Sequence, residues 1–360
     1  MRQSPAGMPL WKFYRRGLFV LIAGFIALNA WSLKYAAPEH DLDADPAIAT
    51  WQPATLVFKE DRPEFHVIGS DTMDEITLSW IKMFRKAYPN LSVTMEARAS
   101  GTGYLGLVEG RSQIATVARE MKPEEIKAFV DKFGYEPTRF RVATGSVGSL
   151  GKTAATVVLV DADNPIKGLT LAQLDAIYST TRNRGLADIT TWGQLGLTGE
   201  WRNRPIHLYG LKPPNGIEQY FKAVVMKGGD YKKDIEFVHT DRIHAFTHAA
   251  MDMKTHPGGL TYAMLANLTP NVKALPLAEH AGSPYIYPTV DSVYHHTYPM
   301  SRYIYIFVNK APNRPLDPTT KEFLRLVLSY QGQSAVAHEH VFEPLMPEIV
   351  SHELDRLNAM

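Results

Sequence analysis

From Glu64 to Gly134 the chain sets a strand-like segment before a helix-like one three times in succession, and few architectures accept that order. FHVIGS reads as a strand, and TMDEITLSWIKMFRKAY as a helix with Ile76, Trp80, Met83 and Ala87 at helical spacing. LSVTMEA alternates apolar and polar residues as a strand does; YLGLVEG is a short helix, IATVA a strand and PEEIKAFVDKFG a helix. A βαβαβα order predicts an α/β lobe with parallel strands. Two near-continuous apolar strands follow, TVVLVDA at 156–162 and YIYIFVN at 303–309, with helical patterns at LTLAQLDAIYS, EQYFKAVVM and RIHAFTHAAMDMKTH between them. If the first leaves the opening lobe and the second returns to it, 64–150 and 265–350 form one discontinuous lobe and 151–264 another. Two crossings then make a hinge with a cleft beside it. Residues 36–63 mix acids, prolines and alanines without a period and read as a linker or loosely packed arm, and 351–360 as a C-terminal tail.

The N-terminus bears on compartment. Arg2, Lys12, Arg15 and Arg16 precede an apolar run, Gly17 to Trp31, which is shorter than the roughly 20 residues of a membrane span. Residues 1–35 are therefore a signal peptide or an uncleaved N-terminal anchor, and both readings export the bulk of the chain. The formal net charge of +1 offers no single-sign field for nucleic acid, and the absence of cysteine excludes disulfides, thiolate chemistry and zinc-thiolate sites.

Two polar elbows, GSDTM at 69–73 and ASGTG at 99–103, each stand where a strand gives way to a helix. A helix N-terminus presents unpaired N–H groups and the positive end of the helix dipole, so it accepts an oxyanion without needing a lysine. Serine and threonine hydroxyls add donors, and glycine lets the backbone approach. Capping explains either elbow alone, since Thr72-x-x-Glu75 fits a capping box. The pair points to an anion held between helix ends. Gly101-x-Gly103-x-x-Gly106 also spells a dinucleotide fingerprint, but the helix after it is too short for one.

GSDTM, Trp80, Tyr88-Pro89, ASGTG, EGRSQIATVAREM (109–121), DNPIKGLTLAQLDAIY (163–178), TWGQLG (191–196), YPMSRYIYIFVN (298–309) and EFLRLVLSYQGQ (322–333) together resemble the phosphate-binding proteins of phosphate ABC importers. The resemblance runs from about 64 to 347 and implies a periplasmic-binding-protein type II fold, with an anion between two α/β lobes. It implies Thr72 and the Met73 N–H as one anion contact and Ser100 and Gly101 as another. Arg119 follows Ala118 where relatives carry an Asp, or an Arg preceded by Ser. The fourth segment, YGLKPPNGIEQYF, departs from the family pattern: Leu211 stands at an arginine position and Asn215-Gly216-Ile217 at a Ser-Gly-Thr triplet. The expected anion-binding set is Ser70, Asp71, Thr72, Met73, Ser100, Gly101, Thr102, Arg119, Asn215 and Gly216. Asp71 would repel sulfate and accept a hydrogen bond from a protonated phosphate.

The function expected is that of an exported solute-binding protein that takes inorganic phosphate or a related oxyanion, acts as a monomer, and serves an inner-membrane ABC permease without cofactor or nucleic acid. Two alternatives stand beside it: a membrane-anchored sensor or interaction protein with a degraded pocket, and a phosphate-ester hydrolase, for which the sequence discloses no general base. His244 and His248 are spaced i, i+4, and His295-His296 and His338-Glu339-His340 are further imidazole groups, but no third zinc ligand or HExxH accompanies them. No catalytic or metal-binding residue is therefore assigned.

Overall fold

The computed structural model describes residues 42–58, 60, 63–146, 155–213, 216–238, 258–265 and 268–360. The chain builds its first sheet from β1 (Glu64–Gly69), β2 (Ser92–Ala97) and β3 (Ile114–Val117), with β1 parallel to both neighbours. Three helices connect and follow them: α1 (Asp74–Ala87), α2 (Ser100–Glu109) and α3 (Pro123–Phe133). Trp80, Ile76 and Phe84 of α1 are buried against Phe65 and Val67 of β1, as the helical spacing predicts. After β4 (Thr138–Thr144) the chain crosses to a second sheet.

That sheet contains β5 (Thr156–Asp161), buried along its whole length, then β7 (His207–Leu211), β8 (Glu236–Val238), β9 (Gly259–Met264) and β10 (Val272–Ala274), in the order β10-β5-β9-β7-β8. A two-stranded pair, β6 (Leu169–Thr170) with β11 (Leu277–Ala278), lies outside it. Among the described residues the α-helices of this lobe are α4 (Leu171–Tyr178), α5 (Gly216–Val224) and the short α6 (Val290–Tyr294). The chain then returns as β12 (Tyr303–Val308), which inserts antiparallel between β3 and β4. The first sheet is thus mixed, in the order β2-β1-β3-β12-β4. A central strand covered on both faces has no need of alternation, which is why YIYIFV is apolar throughout. Three helices close the first lobe: α7 (Pro318–Val327), α8 (Tyr330–His338) and α9 (Pro347–Asn358).

The two-lobe α/β architecture expected from the sequence is present, with three corrections to its boundaries. The second lobe does not end at 264, because β10 and β11 belong to it and Val293, Tyr298 and Met300 fill its core. These strands are only three and two residues long, too short for a readable period. Residues 351–360 are not a tail: α9 buries Val350 and Leu357 in the first lobe. The described part of 36–63 is no loose arm either. Ile48 is buried, and Trp51 stacks on Phe84 at 6.3 Å and donates from Nε1 to Glu322 Oε1 at 2.8 Å. That same carboxylate accepts from the Ala54 N–H and the Tyr88 hydroxyl. The apolar run at 17–31 and the helix expected around His244 and His248 lie outside the described residues. No helix among the described residues is long and apolar enough to cross a membrane.

Because Trp51 ties the arm to Glu322, Trp51→Ala is expected to cost about 2–3 kcal/mol of unfolding free energy, by lost burial plus a carboxylate left short of a donor. Urea denaturation measures it, and a loss below a few tenths would mean that the arm is not part of the folded lobe.

Candidate functional site

The C-terminal end of β3 gathers both elbows. The Ser70 N–H donates to Thr116 O at 2.9 Å, and the Ala118 N–H donates to Ser100 Oγ at 3.3 Å. The two helix starts are therefore bonded to residues only two apart on one strand end. Glycines permit the approach. A Cβ on Gly69 would lie 2.0 Å from Thr116 Oγ1, and one on Gly103 would lie 2.7 Å from Ile68 O. The Gly101-x-Gly103-x-x-Gly106 spacing thus serves helix-to-strand packing: α2 has ten residues, and a Cβ on Gly106 would meet Ser112 and Ile68.

At the first elbow Asp71–Met73 form one turn of 3-10 helix ahead of α1. Ser70 Oγ and Thr72 Oγ1 are 2.9 Å apart, so one donates to the other and one hydroxyl hydrogen is left to point outward. The Thr72 N–H is held by Asp71 Oδ1 at 3.0 Å, with Asp71 itself exposed, and the Met73 N–H donates to Ser70 O at 3.1 Å. The Met73 N–H expected to meet the anion is thus engaged inside the turn, because the turn tightens to 3-10 geometry before the α-helix begins. At the second elbow Thr102 is similarly engaged: its hydroxyl donates to Ala99 O at 2.6 Å and its N–H to the same carbonyl at 2.9 Å. Ser100 retains its hydroxyl hydrogen, and the Ser100 and Gly101 N–H groups, which open α2, have no intrahelical acceptor.

Arg119 lies close by, with Nη2 3.9 Å from where a Gly101 Cβ would be. Its fork is closed on Glu125, at 2.8 Å and 2.6 Å, and both side chains are nearly buried. Glu125 also accepts the Lys122 N–H at 2.9 Å, which caps α3. Burial alone would raise the Glu125 carboxyl, but the hydrogen bonds from Arg119 and Lys122 prevail and hold it below the usual carboxylate range.

Across the cleft the second lobe contributes one cation, Lys222, whose ammonium lies 3.9 Å from Asp230 Oδ1. Leu211 is buried in its core with its N–H on the Tyr262 hydroxyl at 3.2 Å, and Ile217 packs against the same core. Gly216 opens α5 with open space where a side chain would stand, while Asn215 lies outside the described residues. A cleft of about 320 Å³ runs between Arg119, Glu120 and Lys122 on one side and Gly216, Gln219 and Tyr220 on the other.

Sequence reasoning missed Arg302. It is buried beside that cleft, donates to Ala118 O at 3.0 Å, and lies over the Tyr220 ring at 4.4 Å. The SR of YPMSRYIYIFVN was visible, but no pattern showed that the returning strand starts beside β3. The imidazoles lie elsewhere. His296 stacks on Tyr303 at 3.7 Å with Nε2 3.1 Å from Thr144 Oγ1; burial, and then Arg141, push its pKa down to about 4. His295 Nδ1 is 2.9 Å from Asp291 O, and Glu339, next to His338, takes the Ser79 hydroxyl at 2.6 Å. Among the described residues no group of three or more His, Cys, Asp and Glu side chains is placed to hold a metal ion.

Residues 52–331 match the PBP superfamily domain. The chain is 34% identical over 314 residues to the phosphate-binding protein PstS of Pseudomonas aeruginosa, an alignment covering 87% of this chain and 91% of that one. Among solved structures it is similar to PstS from Borrelia burgdorferi, at TM-score 0.54 and 18% identity, covering 79% of this chain and 99% of that one. It is also similar to an ABC-type phosphate transport receptor from Vibrio cholerae, at TM-score 0.51 and 19% identity, covering 78% and 99%. At such identities these two likenesses show the fold.

Glu125→Gln is expected to destabilise the protein by about 2 kcal/mol at neutral pH, less than for a fully buried pair because water still reaches this one. The carboxyl is depressed in the folded state, so its contribution is complete above the unfolded carboxylate range and lost as pH falls through the lower folded value. Melts at stepped pH should show the gap between parent and variant closing on acidification. A gap independent of pH would refute the ion-pair account.

Proposed function

The chain belongs to the phosphate-binding proteins of the PBP superfamily, and from that premise we propose that it captures inorganic phosphate or a closely related oxyanion between its lobes for an inner-membrane ABC permease. The observation that carries this is the convergence of two strand-to-helix elbows on the end of β3. Ser70, Thr72, Ser100 and Gly101 supply hydroxyl and backbone donors there, with the positive ends of α1 and α2 behind them. Asp71, exposed beside these donors, favours an anion that still carries a proton. Gly216 and the start of α5 meet the ligand from the second lobe. Met73 and Thr102 support the elbows from within, and Arg119 holds α3 in place through Glu125.

The protein acts by hinge closure about the two interlobe crossings, with the closed form presented to the permease. We read it as a binding protein, in keeping with the phosphate-binding protein PstS that it is 34% identical to. The positively flanked run before Trp31 supports export, and the near-zero net charge gives no field for a nucleic-acid partner.

Thermal melts against phosphate, arsenate, phosphonates, molybdate and sulfate test the proposal. A bound oxyanion at a hundred times its dissociation constant should stabilise by about 2.7 kcal/mol. Phosphate is expected to raise the midpoint, sulfate to leave it unmoved, and Thr72→Ala with Ser100→Ala to abolish the phosphate shift. If no oxyanion moves the midpoint at millimolar concentration, the pocket is vestigial and the anchored sensor becomes the better reading. A full shift in the double variant would place the ligand elsewhere.

A further inference from the structure

Arg302 is the only buried lysine or arginine among the described residues, at 5% exposure. It stands where the two interlobe crossings touch, its own carbonyl accepting the Gly145 N–H at 2.8 Å. A structural arginine in this setting is expected to close its fork on a carboxylate, as Arg119 does on Glu125. Arg302 does not. Its nearest carboxylate, Glu120, is 3.9 Å away and one-third exposed, and its Nη2 donates to the neutral carbonyl of Ala118. Its Nε is buried with no acceptor.

The surroundings are polar and unfilled in the same way. Ser146 Oγ and Ser301 Oγ, one residue from Gly145 and Arg302 respectively, are also buried without partners. Tyr220 donates its hydroxyl to Ser301 O at 2.8 Å and lays its ring beneath the guanidinium, so the second lobe holds the group from one side. Ala118 connects it to the elbows: its carbonyl takes Arg302 while its N–H meets Ser100 Oγ. A buried cation whose only carboxylate is a long, partly exposed contact is costly to hold, and an incoming anion offsets that cost.

We propose that Arg302 is an anion-binding residue that donates to the oxyanion seated on the two elbows and supplies the positive charge that Leu211 does not. This inference rests on the oxyanion reading above. It places the cation on the hinge, whereas the resemblance to other family members pointed to the second lobe.

Calorimetric titration of the full chain with inorganic phosphate, at low and high salt, tests it. Arg302→Gln is expected to weaken phosphate about thirtyfold, as loss of a charged hydrogen-bond contact does, and to flatten the salt dependence. Arg302→Lys should stay within about fivefold of the parent, keeping charge without the fork. Arg302→Ala should regain affinity on addition of guanidinium ion and not of urea. The proposal is overturned if the parent binds phosphate and Arg302→Gln matches it with an unchanged salt slope. It is equally overturned if the loss in Arg302→Gln is restored neither by lysine nor by guanidinium while the ligand-free melting midpoint falls, since Arg302 is then a hinge support only. A parent that takes up no phosphate removes the oxyanion reading, and this inference with it, and that result is read before any variant is made.

Discussion

The site depends on how closely helix α2 lies on strand β1. A Cβ on Gly103 would lie 2.9 Å from Gly69 Cα, nearer than real Cβ contacts come, so the helix sits where it does because Gly103 has no side chain. From that contact the rest follows. α2 starts beside the end of β3, Ser100 reaches the Ala118 N–H, and the Ser70 N–H reaches Thr116 O on the same strand end. A methyl at Gly103 would lift α2 off β1, and one at Gly69 would force β1 away from Thr116 of β3. The polar residues at the helix starts gain their chemistry from this apolar constraint.

The charges divide according to their partners. Arg119 and Glu125 neutralise one another within the first lobe, and Glu125 spends its remaining capacity on the cap of α3. That pair stiffens the wall of the cleft and leaves the guanidinium with little to give a ligand. Arg302 has a carbonyl, an aromatic face and a long ion pair at 3.9 Å to the partly exposed Glu120, and no carboxylate closes on its fork. Two arginines that look alike in the sequence therefore do opposite work, and the difference is set by whether a carboxylate stands one helical turn away.

How much was legible in the sequence can be told residue by residue. The β1–α1 unit was readable because Ile76 and Trp80 recur at helical spacing after FHVIGS, although Met83 and Ala87, at the same spacing, are only half-buried while Phe84 is buried; β5 and β12 were readable because they are near-continuously apolar. The elbows were readable as helix starts. The assignment of donors within them was not, since whether the Met73 N–H faces a ligand or Ser70 O depends on one turn of 3-10 helix that leaves no trace in composition. The arm around Trp51 looked loose because it has no period; its anchor is a carboxylate 271 residues further on. The antiparallel insertion of β12 beside β3 was hidden for the same reason, and with it the position of Arg302. Local patterns carry local structure, while pairings across hundreds of residues carry the cation and the lobe boundary.

Closure itself sets the last constraint. A ligand shifts an open–closed equilibrium only by as much as it binds the closed form better. The donors at Ser70, Thr72, Ser100 and Gly101 all belong to the first lobe and are in place whether the cleft is open or shut. On the proposed reading they would hold the anion without rewarding closure. The second-lobe wall, with Leu211 and Ile217 packed into its core, offers the start of α5 and Lys222, whose ammonium already faces Asp230 at 3.9 Å. What remains to favour the closed form is the strip where both lobes meet, Tyr220 holding Ser301 and Arg302 between α5 and Ala118. With Leu211 on the second lobe and Arg302 at the hinge, the charge proposed for the anion sits where its environment would change as the lobes approach, which is the dependence that ligand-driven closure requires.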